Sequence, residues 1–175
     1  MKAEILLNSG VYFDFLKPQD HLYNIKDIAH SLSMINRYTG HLNVAYSVAQ
    51  HSVLCSYLVD KSQQLEALMH DASEAYIGDV SSPLKQLLPE YVELEEKIEK
   101  AIAEHFCLEW PMSAEIKIAD KRMLAQEFRV LVGIDILPDV RSGEKWIKPW
   151  SQKKAKRKFL ERYEELTTDQ ENKWN

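Results

Sequence analysis

His70 and Asp71 stand side by side in the run Ala67-Leu68-Met69-His70-Asp71-Ala72-Ser73-Glu74, and Glu74 follows the pair within one helical turn. On a continuous helix these three side chains share roughly one face. Asp79 comes directly after Gly78, where such a helix should stop. An acid beside a histidine in a largely apolar stretch is costly to bury unless something compensates its charge. A divalent cation does so, and imidazole with carboxylate suits Zn²⁺, Mn²⁺, Fe²⁺, Co²⁺ or Ni²⁺ better than the all-oxygen shell that Ca²⁺ prefers. Two further residues interrupt apolar helical patterns in the same way. His51 lies in Tyr46-Ser47-Val48-Ala49-Gln50-His51-Ser52-Val53-Leu54, and Asp120 lies in Ile116-Lys117-Ile118-Ala119-Asp120.

The order of His51, His70-Asp71 and a distant Asp120, on three separate helices, resembles the HD-domain metal-dependent phosphohydrolases. Within them it is most similar to the small bacterial and phage deoxynucleotidases, both 5'-deoxynucleotidases and phage dATP triphosphohydrolases. The resemblance implies one divalent transition metal (Zn, Co or Mn) on His51, His70, Asp71 and Asp120, with Mg²⁺ a candidate second ion carried by the substrate. It implies a 2'-deoxynucleotide substrate, with Glu74 working beside the metal and Asp79 as a second acid. Asp79 could equally cap the turn that Gly78 starts. Arg37 matches a substrate-contacting arginine, and Lys85 and Lys117 complete a candidate phosphate clamp. Tyr38 either stacks on the base or sugar or packs inside the domain. The rival readings are a cyclic- or signalling-nucleotide hydrolase and a catalytically silent nucleotide-binding module.

With 28% charged residues, a net charge of −5 and a pI near 5.7, the chain lacks the basic surface that a nucleic-acid polymer demands. Cys55 and Cys107 form no CxxC pair and no disulfide framework. No apolar run approaches the roughly 18 residues that span a bilayer, and Met1-Lys2-Ala3-Glu4 opens no signal-peptide pattern. The expectation is a cytoplasmic protein with a small-molecule partner, no membrane association, and a homo-oligomer left open.

The positioning elements are helices. Asn8-Ser9-Gly10 separates two short apolar pieces and predicts a hairpin or extended arm. Asn24 caps a helix that should stop near Gly40, Ser47 caps the His51 helix to about Asp60, and Ser62 opens the His70 helix. Ser82-Pro83 starts a short turn, and Pro89 begins a long helix from Glu90 to about His105 whose Glu-rich side reads as solvated surface. Ser113 caps the Asp120 helix, which runs through Phe128 and Leu131, and Ser151 caps the last helix. Pro138 to Pro149 reads as a loop, and His21 and His105 read as surface residues. The fold expected is all-α, a single HD-domain helical bundle over residues 1–175 with a short N-terminal hairpin or extended arm.

Overall fold

The computed structural model describes residues 2–136 and 147–171. A two-stranded antiparallel hairpin opens the chain, β1 (Glu4–Leu6) against β2 (Tyr12–Asp14), with Ile5 opposite Phe13. Helices follow: α1 (Ile25–Met34), α2 (Val48–Cys55), α3 (Gln64–Met69), α4 (Glu74–Ile77), α5 (Ser82–Lys85), α6 (Pro89–His105), α7 (Ala114–Glu127) and α8 (Gln152–Glu171). Each of the expected caps Asn24, Ser47, Ser113 and Ser151 accepts a backbone N–H from the first turn of its helix, satisfying one of the orphan donors there.

The helices pack through apolar stripes read from the sequence. Helix α8 lies across α1, α2 and α3, and α2 packs on α1, α3 and α7. Phe13, Ile28, Leu32, Val48, Val53, Leu68, Ile98 and Phe159 form the main core, and Tyr46, Cys55, Met123 and Ile147 form a second cluster beside the α2–α7 contact. Arg162 of α8 is buried, bonded to Ser56 Oγ at 3.1 Å and to Gln64 Oε1 at 2.7 Å, which ties α8 to the ends of α2 and α3. The segment after the undescribed residues is clipped to α2 by Gln50, which donates to the Lys148 carbonyl and accepts from the Trp150 N–H. Trp146 and most of the expected 138–149 loop lie outside the described residues.

Several local expectations are corrected. Helix α1 ends at Met34 rather than near Gly40, because Ile35 is extended and Asn36 pairs with Ser47 as an isolated bridge. Arg37 therefore leads a tight turn in which Tyr38 and Thr39 both have positive φ. A 3₁₀ turn over Lys61–Gln63 precedes α3, and Ser81 rather than Ser82 stands at the start of α5. The Glu-rich side of α6 is not all solvated, since Glu95 is buried against Lys85. His21 sits within ring-contact distance of Phe13, Tyr23 and Tyr76 and is not a free surface residue.

Candidate metal centre

Helix α3 does not run on through Glu74. Past Met69 the chain tightens, with Ala72 N–H donating to Met69, Glu74 to Asp71 and Tyr76 to Ser73, each three residues back. That tighter winding is 3₁₀-like and nearly superimposes residues three apart. It keeps Asp71 and Glu74 on one side even though the expected single helix is broken.

His51 comes from the middle of α2, fully buried. Its Nε2 lies 3.3 Å from His70 Nε2, 3.1 Å from Asp120 Oδ1 and 3.6 Å from Asp71 Oδ2, and His70 Nε2 is 3.1 Å from that same Asp71 oxygen. The other ring nitrogens reveal which atoms carry hydrogen. His70 Nδ1 is 2.9 Å from the Ala67 carbonyl, and His51 Nδ1 is 2.6 Å from Glu127 Oε1. A carbonyl only accepts, as does an ionised carboxylate, so both Nδ1 atoms donate. Neutral imidazoles held this way turn two bare Nε2 lone pairs toward two carboxylate oxygens. Asp71 Oδ2 is buried and accepts no hydrogen bond. Such a convergence of acceptors needs a cation or a proton. The spacings of 3.1–3.6 Å are those of donor atoms that share one ion at about 2.0–2.2 Å, so the residues fit a divalent metal.

Proton affinities report the same crowding. Burial and Arg37 would lower the His51 pKa, but Cys55, Glu127 and the Asp120 hydrogen bond reverse this and carry it well above the ordinary histidine value. Burial would raise Asp71, yet His70, His51 and Arg37 hold its carboxyl well below the usual range. Asp120 is also lowered, against its own burial, by His51 and His70.

Two members of the cluster were missed in the sequence. His51, Cys55, His70 and Asp120 form a group whose ligand atoms lie within 4.8 Å of one another and could hold a metal ion. Cys55 Sγ is 3.4 Å from His51 Nε2. Burial raises its thiol pKa, which favours the protonated form and leaves Asp71 the stronger anionic donor. Its position one helical turn after His51 was the available signal. The second is Glu127, at the end of α7 and fully buried. Besides His51 it receives Tyr46 Oη at 2.9 Å, Tyr38 Oη at 2.6 Å and Arg37 Nε at 3.1 Å. Burial and Glu127 push both phenols up, so each remains a donor. Glu127 itself is held down to about 2, against its burial, chiefly by His51 and Arg37.

A cavity of about 390 Å³ opens beside the cluster, lined by Arg37, Tyr38, Asp71, Glu74, Asp79, Lys85 and Asp120 among others. Glu74 is buried, its Oε2 has no hydrogen-bond partner, and burial together with Asp71 and Asp79 raises its pKa well above the usual value. Asp79 is raised as well, first by burial. Lys85 borders the cavity with its Nζ 2.6 Å from Glu95; burial alone would lower its pKa, but the Glu95 bond and the charges of Glu95, Glu74 and Asp71 together raise it and keep it a cation. Tyr38 presents its ring at the cavity while its hydroxyl is committed to Glu127 and its edge meets Phe128. The expected clamp is corrected at Lys117, which is exposed and does not line this cavity.

No known family model matches the chain. It is 45% identical over 163 residues to Uncharacterized protein YfdR of Escherichia coli, covering 89% of this chain and 90% of that protein. It is 37% identical over 123 residues to Uncharacterized protein RCAP_rcc00048 of Rhodobacter capsulatus, covering 65% and 63% respectively.

Proposed function

The chain belongs to the family of the Escherichia coli protein YfdR, and we propose that it is an HD-type, metal-dependent phosphohydrolase acting on 2'-deoxynucleotides. The observation that carries the reading is the buried Asp71 Oδ2, which accepts no hydrogen bond and has Arg37 Nη1 3.9 Å away, facing the two imidazole Nε2 atoms beside a cavity that also presents Glu74, Arg37 and Lys85. The deoxynucleotide class comes from the resemblance of His51, His70-Asp71, Glu74, Asp79 and Asp120 to the small deoxynucleotidases. His51, His70, Asp71 and Asp120 would hold the metal, with Cys55 at its margin. A divalent cation held there supplies Lewis acidity to a phosphoryl oxygen and lowers the pKa of water.

The chain's own groups divide the remaining work. Glu74, buried with its Oε2 unshared, orients the attacking water and, from its ionised form, takes the water's proton, which its surroundings then favour keeping. Lys85 and the outward edge of Arg37 offset charge that gathers on the phosphoryl oxygens. Asp79 faces the same cavity and stands where a leaving oxygen can receive a proton. Of the expected clamp, Arg37 and Lys85 line the cavity, and two cations suit one phosphoryl group better than an extended chain, so the 5'-monophosphate is the favoured substrate form.

The test is a panel of deoxynucleoside mono- and triphosphates with Zn²⁺, Co²⁺ or Mn²⁺, the released phosphate being identified by chromatography. Orthophosphate from a monophosphate is the result expected. Intact triphosphate from a deoxynucleoside triphosphate would move the reading to triphosphohydrolase, and no phosphate release with any metal would overturn it. Asp71→Ala should lose metal and turnover together.

A further inference from the structure

Glu127 has no place among the metal ligands and does not line the cavity, yet it is the most heavily bonded acid of the site. Its carboxylate has about four lone-pair positions, and four donors take them. His51 Nδ1 and Tyr46 Oη share Oε1, at 2.6 and 2.9 Å. Tyr38 Oη and Arg37 Nε share Oε2, at 2.6 and 3.1 Å. The donors come from the turn after α1, from the residue before the α2 cap and from α2 itself, while the acceptor closes α7. One oxygen faces the metal side of the centre and the other faces the substrate side.

We infer that Glu127 is a positioning residue that serves both sides: through Oε1 it fixes His51 as the tautomer with hydrogen on Nδ1, leaving Nε2 free to ligate, and through Oε2 it seats Arg37 and Tyr38 on the cavity wall. An imidazole in a solvent-free pocket has no water to settle its tautomer, so the partner at Nδ1 decides which nitrogen offers a lone pair. Because the acid is saturated, no rotation of it can serve one side without disturbing the other. Tyr38 reaches it from a left-handed backbone, φ +59, a conformation that a bulky residue keeps only when its surroundings impose it. The Tyr38 hydroxyl bond to Glu127 and the ring contact with Phe128 impose it here.

This inference rests on the metal reading above, and the experiment separates the two. Zn²⁺ affinity is measured without substrate, by competition with a chromogenic chelator, for the parent, for Glu127→Gln and for Ile98→Ala. The last loosens the core without touching the cluster. An amide oxygen accepts at most two of the four donors while its NH₂ confronts the others, so E127Q should bind Zn²⁺ about 10- to 100-fold more weakly, and I98A should match the parent. A parent that binds no divalent ion would sink the metal reading and this inference with it. A parent that binds, with E127Q within about threefold of it, would overturn the role of Glu127 alone. If E127Q does not fold, the unmodified protein still decides. Histidine ¹⁵N spectra of the Zn²⁺-loaded chain should show His51 protonated on Nδ1 only, and hydrogen on Nε2 would overturn the inference.

Discussion

At the scale of single residues, the centre separates groups that hold charge from groups that move protons. Asp71 and Asp120 are pushed toward the ionised form, whereas Glu74 and Asp79, which line the same cavity, are pushed toward the protonated form. Carboxylates driven apart in this way are what acid–base chemistry near neutral pH requires. Glu74→Ala is therefore expected to retain the metal and to lose roughly 10²-fold or more in turnover, the usual contribution of a positioned acid or base. Metal analysis and steady-state rates on the same preparation test this. Full occupancy with a rate within about threefold of the parent would make Glu74 a structural residue.

At the scale of elements, the segment from α4 to α5 is what brings Asp79 and Lys85 to the cavity. Gly78 ends α4 with φ +79 and ψ 164, a region essentially closed to residues with a Cβ. Space is not the obstacle, since a Cβ there would meet no atom within 4 Å. The segment is then anchored on α6 at two points. Tyr91 donates to the Gly78 carbonyl at 3.1 Å, and Glu95 holds Lys85. Gly78→Ala should cost about 1–3 kcal/mol of stability and swing Asp79 off its line, lowering kcat while Zn²⁺ affinity stays at the parent value. Thermal melts beside kinetics would show this, and an alanine variant with unchanged melting and unchanged kcat would refute it.

At the scale of the whole molecule, the described helices include none long and apolar enough to cross a membrane, and stability depends on how acids are buried between them. Glu99 of α6 lines an apolar recess with Met69, Ile102 and Trp110, and burial, reinforced by Glu95, raises its pKa to about 7. A carboxyl raised from 4.5 to about 7 on folding binds more protons folded than unfolded across that interval. Stability is therefore lost as pH climbs from the unfolded value through 7, and the penalty is complete above it. After discount for the partial solvent exposure of Glu99, the loss is about 1–2 kcal/mol. Glu99→Gln should raise Tm by roughly 2–6 °C at pH 8.5 and leave it near the parent at pH 4.5. Equal shifts at both pH values would refute the assignment.

Much of this protein was determined by local signals. Ser47 and Ser113 mark helix starts because their hydroxyls satisfy the first-turn N–H groups wherever the chain goes next. The apolar stripes of α6 and α8 face the core because period and amphipathicity are properties of the helix alone. The polar interruptions at His51, His70-Asp71 and Asp120 pointed to one centre because burying such groups separately is costly. Tertiary structure alone decided the rest. Nothing near Glu127 in the sequence marks it, since its four partners lie 76 to 90 positions away and its value comes from saturation by all of them at once. Lys117 shares a helix face with Asp120 by spacing, yet it is exposed and is not among the residues that line the cavity. Glu95 and Glu99 read as solvated surface from α6 alone; Glu95 became buried and Glu99 half-buried only when neighbouring elements packed against that face.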